Sequence, residues 1–232
     1  MLHRKHVDAK GNWVTFRPDI KILDCTIRDG GLMNGHQFDE TFVKAVYDTC
    51  VAAGVDYCEL GYKGSKRIFA PGEHGAWKYC DEDVLRRIVG EGPRPLRISV
   101  MADVDRTDYH TDILPKDKSV IDCVRVACYI NQIPGAVDMI KDAHDKGYET
   151  TLNLMAISKV QDRELEEALA VLARARWIRC TWSTATARST PSRFTTSCSV
   201  SWRRWTARAN TSASMPTTTC SLPTPTPSRR SS

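Results

Sequence analysis

From Ala168 to its end this chain of 232 residues contains no Asp, no Glu, no Lys and no His, yet it holds ten Arg. The formal net charge of +5 is therefore uneven: the first 167 residues hold the other 23 Lys and Arg against all 28 acids, a balance of −5. A basic stretch ordinarily points to nucleic acid or a membrane surface, but this one coincides with an abrupt change of composition. The nine Cys include no Cys-x-x-Cys pair, which excludes the common zinc-finger spacings. Cys25, Cys58, Cys123 and Cys128 lie in apolar runs, where a free thiol behaves as a small hydrophobe. Buried, reduced thiols and a reducing compartment are expected. No apolar run approaches the roughly 18 residues needed to span a bilayer, and the first 13 residues, MLHRKHVDAKGNW, are polar. The expectation is a soluble, cytoplasmic protein with no membrane partner. Without a Walker motif or a Gly-x-Gly-x-x-Gly fingerprint, nucleotide chemistry has no support.

What is present, up to about Leu172, is an alternation of strand and helix patterns. Strands are expected at Ile20–Ile27, Val55–Leu60, Leu96–Val104, Val120–Tyr129 and Thr150–Ile157. Helices are expected between them: Phe42, Val46, Cys50 and Ala53 recur at helical spacing up to Gly54, and Val84, Leu85, Ile88 and Val89 point inward before Gly90. A helix near Gly135–Lys146 places Val137, Ile140 and His144 on one face, and Gln161–Leu172 aligns Leu165, Leu169 and Leu172. Five β-then-α units argue for a parallel sheet with helices outside. Periodicity leaves open a doubly wound sheet or the first part of an eight-unit barrel.

The most informative stretch is Ile22 to Gly31, ILDCTIRDGG. It reads as an apolar strand ending in a cation, a carboxylate and two glycines, at the strand end where α/β enzymes build their sites. Asp29 is a hard oxygen ligand suited to a divalent ion, and Arg28 suits a developing enolate oxygen. Gly30 and Gly31 are expected to turn the backbone so that both serve one site. His36 is the nearest histidine for proton transfer, with capping of the next helix as its alternative role. Asn153, midway along the fifth strand, faces either the barrel mouth or inert surroundings. Lys63 and Lys159 sit just after strands, where ordinary solvated lysines outweigh Schiff-base ones. Arg67 and His74 follow the second strand without a spacing that demands a ligand, and His3, His6 and His110 read as surface residues.

ILDCTIRDGG, Val55-Asp56-Tyr57-Cys58-Glu59-Leu60-Gly61 and the five-unit alternation resemble the metal-dependent lyases and aldolases with an Asp-Arg-Glu-type signature on a TIM barrel, the HMGL-like or DRE-TIM metallolyases. That group includes 4-hydroxy-2-oxovalerate aldolase, hydroxymethylglutaryl-CoA lyase, and isopropylmalate and homocitrate synthases. Bacterial proteins described as containing an aldolase catalytic domain look similar too. The resemblance covers about residues 20–172. It implies that Asp29 binds the metal, Mn2+ or Mg2+, that Arg28 stabilises the enolate oxygen, and that Glu59 lies near the metal. It also implies a small 2-oxo acid substrate and an oligomeric parent. The family's His-x-His metal ligands are missing in this reading frame, and the histidine that the hydroxy-oxovalerate aldolases carry three residues after the metal aspartate is here Leu32.

The tail is where those ligands are expected. Residues 173–232 hold 25 Ser and Thr and four of the six Trp but no Gly, Lys or Glu, which fits a disordered segment poorly. Shift the frame so that each codon takes the last base of one present codon and the first two of the next. Trp177-Ile178 then forces an Asp, Met215-Pro216 forces an Ala, and the surrounding codons permit His-Ala-His-Asn-Asn. A one-base loss between about Leu172 and Ala175 is the expectation; a genuine Ser/Thr/Arg tail is the alternative.

The whole reads as an N-terminal extension over residues 1–19, a partial TIM (β/α)8 barrel of about five βα units over residues 20–172, and an irregular, disordered tail over residues 173–232. The implied activity is a divalent-metal aldolase or lyase acting through a pyruvate-like enolate, impaired in this product. A Claisen-type acyl-CoA condensing enzyme, and a non-catalytic chain whose basic tail binds nucleic acid, are the alternatives; nucleic acid is not the expected partner.

Overall fold

Each strand of the sheet pairs in parallel with the next one along the chain: β1 (Leu23–Asp24), β2 (Tyr57–Tyr62), β3 (Arg97–Asp103), β4 (Cys123–Cys128), β5 (Glu149–Leu154) and β6 (Arg179–Trp182). The computed structural model describes residues 21–172 and 179–182. The extension over residues 1–19, with His3 and His6, and the remainder of the tail, with the permitted His-x-His stretch, lie outside the described residues. The strand order never reverses. A doubly wound sheet needs such a reversal, so the architecture left open by periodicity is the barrel one.

Helices fill the connections: α1 (Thr26–Asn34), α2 (Glu40–Ala53), α3 (Glu82–Val89), the short α4 (Tyr109–Asp112), α5 (Ile133–Asp145) and α6 (Asp162–Leu172). Among the described residues no helix is long and apolar enough to cross a membrane. On α5 one expectation fails: Ile140 is buried but the His144 side chain is about half exposed, because Ala136, Met139 and Ala143 form the inward stripe instead.

Strand alternation divides the residues by chemistry. Cys58, Leu60, Ile98, Val100, Val124, Val126, Leu152 and Leu154 belong to the main core beneath the helices. Their neighbours Tyr57, Glu59, Arg97, Ser99, Arg125, Thr151 and Asn153 point to the opposite face. There, side chains meet across strands that are not neighbours. The Tyr57 hydroxyl donates to Glu149 at 2.7 Å from β2 to β5, and Arg125 reaches from β4 to Glu59 on β2 at 2.8 Å. Side chains can span intervening strands only if the sheet curls, and this one is a half-barrel with a polar concave face.

Two expectations about the ends of the sheet need correction. The first strand stops at Asp24, and the Thr26-to-Gly31 stretch is helical. Asp24 makes a local turn just before that helix: its carboxylate accepts the Thr26 N–H at 3.1 Å and the Thr26 hydroxyl at 2.9 Å, bending the chain where more strand was expected. At the other end, the segment expected to be irregular supplies β6, paired with β5 from Thr151↔Arg179 to Leu154↔Trp182.

Gly61, inside β2, shows why the loop after that strand packs as it does. A Cβ there would lie 1.9 Å from the carbonyl oxygen of Trp77. The backbone of the Ala76–Lys78 turn presses directly on the strand. Replacing Gly61 by Ala is expected to cost about 1–3 kcal/mol through this clash, read as a lowered urea midpoint.

Candidate functional site

Helix α1 carries Arg28 and Asp29 at its first turn, and its glycines serve packing rather than a turn. A Cβ on Gly31 would lie 2.1 Å from Nδ1 of His36, and one on Gly30 would lie 3.1 Å from Phe38. The close fit lets α1 lie down over the β1–β2 edge and aim Arg28 at the concave face. Helical placement also answers the strand problem: consecutive residues at a helix start reach one region without a backbone turn.

At the centre of that face is the Glu59 carboxylate, with 0 % exposure. Its Oε2 accepts from Arg28 Nε at 2.8 Å and from Arg125 Nη1 at 2.8 Å, and its Oε1 accepts from the Ser99 hydroxyl at 3.2 Å. The Cys25 thiol lies between the same groups, 3.5 Å from Glu59 and 3.6 Å from Arg125. Arg28 also bonds Asp29 through its Nη1, while Asp29 itself is 58 % exposed. Burial works against the Arg28 charge, but Glu59, then Cys25 and Tyr62, raise its pKa overall. Burial and the Glu59 charge push the Cys25 thiol up despite both arginines, so it is held as a thiol rather than a thiolate.

Above this layer, at the carboxyl ends of the strands, lie Tyr62, Asp103 and Lys78. Burial raises the Tyr62 hydroxyl, with Arg28 working against it. Burial also raises the Asp103 carboxyl, opposed first by Lys78. Asn153 is buried on β5, in register with Ala127, and shares this face. The layered arrangement, with its charged groups toward the carboxyl ends, is where TIM-barrel enzymes work.

No family model matches the chain. Over 138 residues it is 25% identical to the oxaloacetate decarboxylase of Mycobacterium tuberculosis (strain ATCC 25618 / H37Rv), a match covering 58% of this chain and 38% of that protein. The chain thus spans well under half of that relative's length. The crystal structure of the HMG-CoA lyase from Brucella melitensis superposes with a TM-score of 0.57 at 14% identity, over 81% of this chain and 68% of that one. That likeness shows the fold. It is a partial TIM barrel.

The structure brings Arg28, Asp29 and Glu59 together, and Asn153 lies on the same face. His36 lies at 3 % exposure, its ring 5.3 Å from that of Tyr62 and 6.3 Å from that of His74, with Nδ1 unpartnered. Lys63, expected in solvent, is 5 % exposed and donates to the Cys80 carbonyl at 2.7 Å. Lys159 is exposed. Arg67 pairs with Asp108 at 3.1 Å, and His110, exposed as expected, lies 3.2 Å from Asp142. Arg125, Ser99, Tyr62, Lys78 and Asp103 are additions. Arg125 had a visible signal, a lone charge between Val124 and Val126 on a buried strand. Lys78 had only its place between Trp77 and Tyr79.

A divalent ion fits the described residues poorly. Asp29 is engaged by Arg28, and Glu59 is saturated by two guanidiniums and a hydroxyl. Among the described residues the one group of three donors close enough to hold an ion is Asp24, Cys50 and Cys58, which does not include Asp29. One exposed carboxylate is not a divalent site.

Two measurements test this geometry. Glu59→Gln leaves the buried Arg125 guanidinium without its counter-charge and Arg28 with Asp29 alone, and is expected to cost about 3–5 kcal/mol of stability, seen by chemical denaturation. His36 is pushed from its ordinary 6.5 down to about 4 by burial, then by Lys78 and His74. Between those values the unfolded chain binds a proton that the folded chain refuses, so stability falls as pH drops through 6.5 toward 4. His36→Asn, which tolerates the φ of 62° there, is expected to show a shallower fall of Tm with acidification.

Proposed function

We infer that this chain derives from a carbon–carbon lyase that acts on a 2-oxo acid through its enolate. The observation that carries the reading is the Arg28–Glu59–Arg125 arrangement on the concave face. It presents a guanidinium, fixed by Glu59 and Asp29, beside the carboxyl ends of the strands. When a bond to the carbon next to a 2-oxo group breaks, negative charge collects on the former carbonyl oxygen. A preorganised cation with no freedom left to reorient stabilises that oxygen most. The partial similarity to an oxaloacetate decarboxylase supports the same substrate class.

In this reading Arg28 faces the enolate oxygen, Glu59 and Asp29 fix its orientation, and Arg125 holds the Glu59 carboxylate from β4. Asn153 contributes a polar contact across the face. His36 stands by as a neutral imidazole behind Tyr62, a weak base with its proton-accepting form fully present. Metal dependence belongs to the proposal as well: Asp29 would be one ligand, and the remaining ligands belong to the stretch that a restored frame permits. The chain as it stands is expected to have little activity. Its cellular place in this reading is the cytoplasm.

The test is to assay pyruvate release from oxaloacetate and from a 4-hydroxy-2-oxo acid, with Mn2+. It compares this chain with one whose gene carries a single added base after codon 172. The restored chain is expected to bind about one ion and to turn over. Arg28→Ala in it is expected to lower the rate by about 10²–10³-fold. A restored chain that binds no ion and cleaves neither compound sinks the reading.

A further inference from the structure

The mouth of the half-barrel holds a buried lysine, Lys78, that makes no salt bridge among the described residues, although the charge of Asp103 is felt there from beyond salt-bridge distance. Lys78 is 6 % exposed, and its Nζ lies 4.0 Å from the ring centre of Phe69 and 4.7 Å from that of Tyr62. No carboxylate oxygen among the described residues comes within 4.0 Å of it. The other buried cations of this region are committed: Arg28 to Glu59 and Asp29, Arg125 to Glu59, and Lys63 to the Cys80 carbonyl. Its backbone is pinned as well, with Lys78 N–H donating to the Gly75 carbonyl at 3.0 Å and the Lys78 carbonyl accepting from Gly64 at 2.9 Å. A long, flexible side chain has thus been fixed under two aromatic faces, beside the tyrosine that flanks Arg28.

We propose that Lys78 receives the carboxylate of the 2-oxo acid whose carbonyl oxygen faces Arg28. This rests on the enolate reading above. A 2-oxo acid carries its carboxylate on the carbon next to the carbonyl, so its binding site needs two cationic groups at neighbouring positions. Arg28, which acts on the Tyr62 hydroxyl, and Lys78, whose ammonium lies over the Tyr62 ring, supply them. Aromatic faces stabilise an ammonium only in part, and an ammonium taken out of water gains most from an arriving anion. Burial lowers the Lys78 pKa while Asp103 works the other way. A bound carboxylate acts in the same sense as Asp103, so binding and the charged form of Lys78 support each other. The role is electrostatic, the ammonium over the two ring faces meeting the carboxylate as a charge, and no imine is part of it.

The test compares binding of pyruvate and of pyruvamide, its uncharged amide, to the full chain, to Lys78→Met and to Lys78→Arg. Lys78→Met is expected to weaken pyruvate by at least about 30-fold and to leave pyruvamide unchanged. Lys78→Arg is expected to keep the preference for pyruvate. Loss of both ligands together in Lys78→Met, or undiminished pyruvate binding, overturns the role of Lys78. So does a covalent adduct at Lys78 after pyruvate and borohydride. If neither the unmodified chain nor the frame-restored chain binds pyruvate, the enolate reading falls along with this one. If either binds pyruvate and its Lys78→Met variant still does, Lys78 alone is excluded.

Discussion

A carboxylate with no exposure to water needs cations, and the concave half of this molecule is arranged to supply Glu59 with them. Arg28 arrives from α1, Arg125 from β4 and the Ser99 hydroxyl from β3. Three elements distant in sequence are thereby tied to one side chain on β2. Such a cluster is weak evidence for stability, since desolvating three charges offsets most of what their attraction returns. Its effect is on geometry. With Glu59 in place Arg28 has one orientation and Arg125 has one reach. The curl of the sheet, which brings β4 side chains to β2, is also the condition under which the charges meet.

The polar face has a cost that the other face offsets. Leu60, Ile98, Val100, Val124, Val126, Leu152 and Leu154 are buried against the helices, and each fully buried aliphatic side chain contributes on the order of 1.5–3 kcal/mol. The concave face has little to add: its apolar cluster is Tyr62, Met101 and Ala127, with Met155 alongside. One face of strands β2 to β5 thus holds the fold and the other is free for chemistry. Arg97, the Tyr57 hydroxyl and Glu149 form a lower polar layer, with bonds of 2.7–3.1 Å. Burial, then Glu149, pushes that tyrosine up to about 12, so it stays a neutral hydroxyl.

Much of this was legible in the sequence, and the misses have physical causes. Strands β2 to β5 lie within the expected segments or close to them, because their even-numbered residues are apolar and their flanks carry Gly and Pro. The first strand was misread because Leu23, Cys25 and Ile27 alternate as a strand should, while the turn that the Asp24 carboxylate makes with Thr26 is a local event that periodicity does not register. Arg28, Asp29 and Glu59 were legible as a group only through the family pattern. Arg125 and Lys78 were not, because a charge in a buried strand or between two aromatics acquires meaning only once its partner, or its lack of one, is known. His144 misled through spacing alone: a position at helical period from Ile140 is inward only if the stripe is wide enough to include it.

The open edge of the sheet explains why one half of the proposed chemistry is present and the other is not. In a closed eight-stranded barrel β1 is bounded on both sides, and groups from the last strands face α1 across the mouth. Here β1 is two residues long and, among the described residues, pairs only with β2. Asp29, on that side, is more than half exposed, whereas Arg28, turned toward β2 and β4, is 14 % exposed. Two neighbours on one helix thus differ because one faces the built part of the barrel and the other faces where further strands would stand. A metal ion at Asp29 would draw its other ligands from that missing side, while the arginine's supports all come from strands that are present. In the proposed reading, the cationic support for an enolate oxygen therefore comes from the described strands, and the further metal ligands would have to come from outside them.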